Sequence, residues 1–248
     1  MIVLKTAEEI AKMRLLGQQL ARILHTLKQQ AKAGMTTARL DEIAASETEL
    51  VGAKCASHGY RGFPGHCCIS LNETVIHGIP SGRELEEGDL VSIDHVIERD
   101  GLFVDSTISF TIGLPSKAQT RIMEVCSRAL AEGIAIARPG KTIGDIGNAV
   151  QSVVESSGCS VIREFVGHGI GRAMHEDPQI PNFGRSETGV MIVPGMTLAI
   201  EPMIAEGSHH VRIAKDGWTA SMADGKLSCH MEHTVAVLEN ETVVLTKI

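Results

Sequence analysis

Apolar residues recur every three to four positions near the start of the chain: Ile10, Met13, Gly17, Leu20, Leu24, Leu27 and Ala31. That spacing predicts one face of a long amphipathic helix. Thr6-Ala7-Glu8-Glu9 supplies a capping box at its start, and Ala33-Gly34 is expected to close it. A second, shorter helix is expected from about Thr37, with Leu40, Ile43 and Ala44 turned inward. The same plan returns after residue 115. Ser116-Lys117-Ala118-Gln119 is again a capping box, and Ile122, Cys126, Ala129, Gly133 and Ile136 make the apolar face. Arg138-Pro139-Gly140 ends this helix, and Thr142-Ile143-Gly144-Asp145 opens the next short one. The strand patterns repeat too. Gly88-Asp89-Leu90-Val91-Ser92-Ile93-Asp94 matches Gly195-Met196-Thr197-Leu198-Ala199-Ile200-Glu201, and Asp105-Ser106-Thr107-Ile108-Ser109-Phe110 matches Glu232-His233-Thr234-Val235-Ala236-Val237.

The chain is therefore written twice, as helix, helix, strands. Runs of helices followed by runs of strands predict an α+β fold, with helices on one side of a curved antiparallel sheet. Neither copy has enough strands to bury its own helices. The expectation is a single domain over residues 1–248, built from pseudo-symmetric halves of about 1–112 and 113–248.

Composition narrows the function classes. Hydrophobic residues make up 43% and charged residues 21%, as in ordinary globular chains. A net charge of −7 with no basic block argues against nucleic acid as a partner. The start, Met1-Ile2-Val3-Leu4-Lys5, lacks the pattern of a signal peptide, and no apolar run is long enough to span a bilayer. The expected location is the cytoplasm, without membrane contact. The six cysteines are scattered and form no C-x-x-C pair, so they read as free thiols.

The chemistry lies in the repeated strands. Asp94 and Glu201 each follow an apolar run, while Asp105 and Glu232 each open a matched strand. Arg99-Asp100-Gly101 is a hairpin signal that would bring Asp94 beside Asp105. The segment from Asp216-Gly217 to Asp224-Gly225 offers similar turns between Glu201 and Glu232. The repeat would then set the two acidic pairs against each other at the middle of the sheet. Four converging carboxylates repel unless cations sit among them. His168, in Gly167-His168-Gly169-Ile170-Gly171, is the natural nitrogen donor, its glycines allowing close backbone approach. An oxygen-rich set with one imidazole suits Mn, Fe, Co or Zn, and its size suits two ions sharing carboxylates. Taken singly, each residue reads more readily as an exposed strand acid or a loop histidine, and the four acids with the repeat reverse that balance.

Six ordered motifs carry a resemblance over essentially the whole chain. They are Asn72-Glu73-Thr74-Val75-Ile76-His77-Gly78-Ile79-Pro80, the Asp94 to Asp105 hairpin, Gly167-His168-Gly169-Ile170-Gly171-Arg172, His175-Glu176-Asp177-Pro178, Ile200-Glu201-Pro202-Met203 and Met231-Glu232-His233-Thr234. With these, the sequence resembles the type I methionine aminopeptidases of metallopeptidase family M24. The resemblance implies the pita-bread fold and two divalent ions (Co, Mn, Fe, Zn or Ni) held by Asp94, Asp105, His168, Glu201 and Glu232. It implies removal of an N-terminal methionine from new polypeptides when the second residue is small, with a metal-bridging water attacking the scissile carbonyl. Glu201 would shuttle the proton, His175 would hydrogen-bond the carbonyl, and His77 would contact the substrate backbone on the leaving side. Tyr60, Phe63, Cys68, Met174 and Trp218 would line the methionine pocket. The substrate would be a peptide or nascent-chain N-terminus, the ribosome is a candidate partner, and the protein is expected to be a monomer.

The sequence departs from the commoner family pattern at Arg61, Met174, Ser57 and His95. None of these removes an expected ligand. Met174 replaces a common aromatic and predicts a more flexible pocket wall. Strand alternation turns His95 to the face opposite Asp94, which predicts a structural role. The short interval between His175 and Glu201 argues against the type II branch, which carries a long insertion there.

Overall fold

A computed structural model of the chain describes residues 2–248. Four helices form where the periodicity places them: α1 (Ala7–Gln30), α2 (Thr37–Leu50), α3 (Lys117–Ile136) and α4 (Ile143–Ser156). The boxes at Thr6, Ser116 and Thr142 all close, each cap side chain accepting the N3 backbone N–H while the N3 side chain accepts the cap's own. One boundary differs from the expectation. Helix α1 ends at Gln30, because Ala31 already has extended backbone. Gly34 serves the return turn instead, donating its N–H to the Leu85 carbonyl.

Nine strands make one antiparallel sheet: β1 (Lys54–Cys55), β2 (Cys68–Leu71), β3 (Leu90–Arg99), β4 (Leu102–Thr111), β5 (Gly167–Gly169), β6 (Glu176–Ile180), β7 (Thr197–Ile200), β8 (Glu232–Val237) and β9 (Thr242–Val244). Their order is β1-β3-β4-β8-β7-β5-β6, with β2 also on β3 and β9 also on β8. The matched strands therefore sit symmetrically: β3 and β4 on one side, β7 and β8 on the other, with the seam between β4 and β8. Across that seam Glu232 pairs with Thr107 and His233 with Ser106.

The hairpin of β3 and β4 turns on Asp100-Gly101, both at positive φ, as a two-residue connection requires. Its counterpart is not a hairpin. Residues 202–231 make an excursion whose strands Val211–Ile213 and Ala220–Met222 pair with each other and with Thr74–Ile76. Asp216 builds the tip of this excursion, accepting the backbone N–H groups of Trp218 and Thr219.

The helices cover one side of the sheet. Met13, Leu16, Leu20, Leu24 and Leu27 of α1 join Val91, Ile93, Ile97 and Val104 in one core cluster. Leu130, Ile143 and Ile146 of α3 and α4 join Leu198, Ile200 and Val235 in another. His95 lies on the α2 side, completely buried, with Nε2 2.8 Å from Thr48 Oγ1. All six cysteines are free. Among the described residues no helix is long and apolar enough to cross a membrane.

Candidate metal centre and substrate cleft

The side of β3 and β4 away from α1 carries the acids. Asp94 stands opposite Thr107 and Asp105 opposite Val96, so the two carboxylates meet on a diagonal of one face. Glu232 opens β8 across the seam, and Glu201 follows directly on β7, next to the His233–Ile200 pair. His168 lies in β5, the strand beyond β7. The two glycines around His168 are needed at this crossing. A Cβ at Gly167 would lie 2.4 Å from the Ala199 carbonyl oxygen, and one at Gly169 2.2 Å from that of Asp177.

Ligand atoms of Asp105, His168 and Glu232 lie within 4.8 Å of one another. His168 Nε2 is 3.6 Å from Glu201 Oε1. The imidazole of His168 faces a carbonyl with its other nitrogen, Nδ1 being 2.9 Å from Gly169 O. A carbonyl only accepts, so the proton belongs on Nδ1 and the Nε2 lone pair points at the acids. Burial, then the neighbouring His175, lowers the His168 pKa to about 4, which keeps the ring neutral.

The sheet fixes these acids through neighbouring hydroxyls. Thr107 Oγ1 donates to Glu232 Oε2 at 2.9 Å. Thr234 Oγ1 donates to the Asp105 carbonyl at 2.8 Å and accepts its N–H at 2.9 Å. Asn182 Nδ2 donates to the Glu201 carbonyl at 2.9 Å. Even so, Asp94 Oδ1, Asp105 Oδ1 and Glu232 Oε1 are buried without a hydrogen-bond partner. Burial pushes all four carboxyls up, Asp105, Glu201 and Glu232 well above the usual range. For Asp105 the charges of Glu232, Asp94 and Glu201 push in the same direction. Buried, like-charged and unpartnered oxygens are what divalent cations satisfy, and the donor set of carboxylates with one neutral imidazole suits them.

The acids form the floor of a cleft of about 760 Å³. All five pocket residues expected from the sequence line it: Tyr60, Phe63, Cys68, Met174 and Trp218. Cys68, on β2, stands opposite Asp94. Trp218 reaches the cleft from the tip of the 202–231 excursion and meets Phe63 edge-on at 5.2 Å between ring centroids. His77 lies at 5.9 Å from Trp218, and burial lowers its pKa to about 4. His175 packs 4.4 Å from His168 between ring centroids, and its Nδ1 is 3.1 Å from the Tyr60 hydroxyl. Arg61 places its guanidinium 5.3 Å from the Tyr60 ring centroid, at the rim.

Sequence reasoning missed one member of the centre. His230, 1% exposed, holds Nε2 3.5 Å from Glu201 Oε2. Its only signal was its position two residues before Glu232. Phe165, Glu164 and Gln179 also line the cleft without any sequence signal.

Residues 11–239 match metallopeptidase family M24. The chain is 44% identical over 248 residues to a methionine aminopeptidase of Clostridium perfringens, with all of both chains covered. It is 41% identical to methionine aminopeptidase 1 of Bacillus subtilis, again over the whole of both. The crystal structure of methionine aminopeptidase from Rickettsia prowazekii superposes with a TM-score of 0.98 at 36% identity, covering 100% of each chain.

Proposed function

The chain belongs to metallopeptidase family M24, and on that premise we propose that it removes the N-terminal methionine from peptides and nascent chains whose second residue is small. One observation carries this reading. Three buried acids, the half-buried Asp94 and His168 converge at the floor of a cleft whose walls are aromatic and sulfur side chains. We treat residues 1–248 as one catalytic domain.

Asp94, Asp105, His168, Glu201 and Glu232 are the residues that would hold two divalent ions. His168 would serve one ion and Asp94 the other. When bound, such ions activate a water as nucleophile and polarise the scissile carbonyl. Glu201 would accept a proton from the attacking water and deliver one to the leaving amine. Its carboxyl faces His168 with Oε1 at 3.6 Å and His230 with Oε2 at 3.5 Å. With the Tyr60 hydroxyl donating to Nδ1, His175 carries its proton on Nε2 and donates it to the carbonyl oxygen as charge develops there. His77 contacts the substrate backbone on the leaving side. Tyr60, Phe63, Cys68, Met174 and Trp218 form the slot for the thioether. The protein works in the cytoplasm as a monomer, with the ribosome as a candidate partner and with neither membrane nor nucleic acid as one.

The test is turnover of Met-Ala-Ser and Ala-Pro-Ala by chelated protein resupplied anaerobically with Mn, Fe, Co, Zn or Ni. Metal-dependent cleavage of Met-Ala-Ser alone supports the proposal. No cleavage with any of the five ions overturns it.

A further inference from the structure

The turn from Gly171 to Glu176 carries Met174 and His175, two residues of the proposed reaction. It is held from beneath by the first residues of the chain. The Lys5 ammonium donates to Glu176 Oε2 and, at 2.9 Å, to the Val3 carbonyl. Glu176 Oε1 accepts the backbone N–H groups of Arg172 at 2.6 Å and Ala173 at 3.0 Å. The Lys5 and Glu176 side chains are 1% and 6% exposed. Lys5 is fixed in turn, its N–H donating to the Gly195 carbonyl at 2.8 Å. Its methylenes press on the turn so closely that a Cβ at Gly171 would lie 2.1 Å from Lys5 Cε.

A buried ion pair is a poor source of stability, since desolvation offsets most of the attraction. What this pair supplies is a defined position. Through one carboxylate, Lys5 sets the backbone of Arg172 and Ala173, the two residues before Met174. A second, more exposed pair pulls the same turn onto α1, with Arg172 Nε 2.7 Å and Nη2 3.0 Å from the Glu9 carboxylate. On the cleft side, His175 meets the Tyr60 hydroxyl and the His168 ring.

We propose that Lys5 is a positioning residue for the reaction: by fixing Glu176 from outside the cleft, it sets the placement of Met174 and His175 within it. This rests on the aminopeptidase reading. An imidazole that must meet a carbonyl oxygen at hydrogen-bond distance loses much of its effect when displaced by an ångström.

The experiment compares wild type, Lys5→Met, Glu176→Gln and the double variant, all metal-reconstituted. Glu176→Gln removes the charge that Lys5 meets while leaving Oε1 to accept from the turn. For Met-Ala-Ser, kcat per folded, metal-loaded molecule should fall at least about tenfold in each single variant. KM should change less than kcat, metal stoichiometry should not change, and the double variant should be no worse than the poorer single one. The 13Cε1–H resonance of His175 should move in every variant. If Lys5→Met does not fold, Glu176→Gln decides alone. An unchanged kcat in a folded variant overturns the proposal, even with a lowered melting temperature, because it leaves the pair a purely structural role. If wild type itself cleaves no methionyl peptide, the aminopeptidase reading fails instead. The His175 resonance still decides the positioning claim in that case: a shift supports it, and none refutes it.

Discussion

Asp105→Asn should raise stability in chelator and abolish the stability gained from metal. Asp105 is 5% exposed, has an unpartnered Oδ1 and feels three other carboxyls. The substitution removes its charge and leaves its fold contacts alone, because both bonds to Thr234 involve the Asp105 backbone. The nearest ligand oxygens and nitrogen of the cluster lie within 4.8 Å. Two unit charges that far apart repel by about 3 kcal/mol at an effective dielectric of 20. Protons shared among the raised carboxyls reduce the relief, so this figure sets only its scale. At about 2–4 °C per kcal/mol, the gain in melting temperature in chelator is on the order of 10 °C. Metal reverses the order. At 100-fold excess over the dissociation constant, bound ion adds about 2.7 kcal/mol to wild type, and Asp105→Asn forfeits most of it. The assay is thermal unfolding of both proteins in chelator and across a Mn titration. The crossing of the two curves is the result that matters. An Asn variant that melts below wild type in chelator would refute the repulsion argument. Equal shifts with Mn would refute Asp105 as a ligand.

Gly78→Ala should cost activity without costing metal, because its Cβ would lie 2.2 Å from the Ile69 carbonyl oxygen. The backbone must move and carry His77 with it, so kcat/KM should fall by about 100-fold at unchanged metal content; retained activity would show that His77 tolerates displacement. Met174→Phe should narrow specificity, since Met174, 8% exposed in the cleft wall, is more flexible than an aromatic ring. Identical Met and norleucine profiles in both enzymes would rule this out. Glu9 has its carboxyl held down to about 2 by Arg172, then by the Thr6 N–H. A depressed carboxylate adds stability above its unfolded pKa and loses it as pH falls toward the folded value. Glu9→Gln should therefore flatten the loss of stability between about pH 4.5 and 2, and parallel wild-type and variant curves in urea unfolding would exclude that role.

Much of this protein is legible in one dimension. Helix caps are local, so Thr6, Ser116 and Thr142 announce their helices within four residues. The Asp100-Gly101 hairpin is local as well, and it brings Asp94 and Asp105 together without further help. The repeat extends that to Glu201 and Glu232, because two copies of one unit must meet about an axis. Partnerships set by long-range packing are a different matter. The 202–231 excursion offers turn signals but no hint that it pairs with Thr74–Ile76 and swings Trp218 over the cleft. His230 comes to Glu201 only because the strands Ser228–His230 and Met203–Ala205 pair. Lys5 meets Glu176 across 171 residues of sequence, and neither residue carries a sign of the other. The sequence by itself determined the four helices and the matched strands of the repeat, since these follow from period, capping and repetition, and the resemblance added five candidate metal donors. Tertiary structure alone decided which side chains brace those candidate donors, and it added Glu164, Phe165 and Gln179 to the cleft wall. Burial and contact across the sheet depend on how distant segments close on one another, and no local pattern records that.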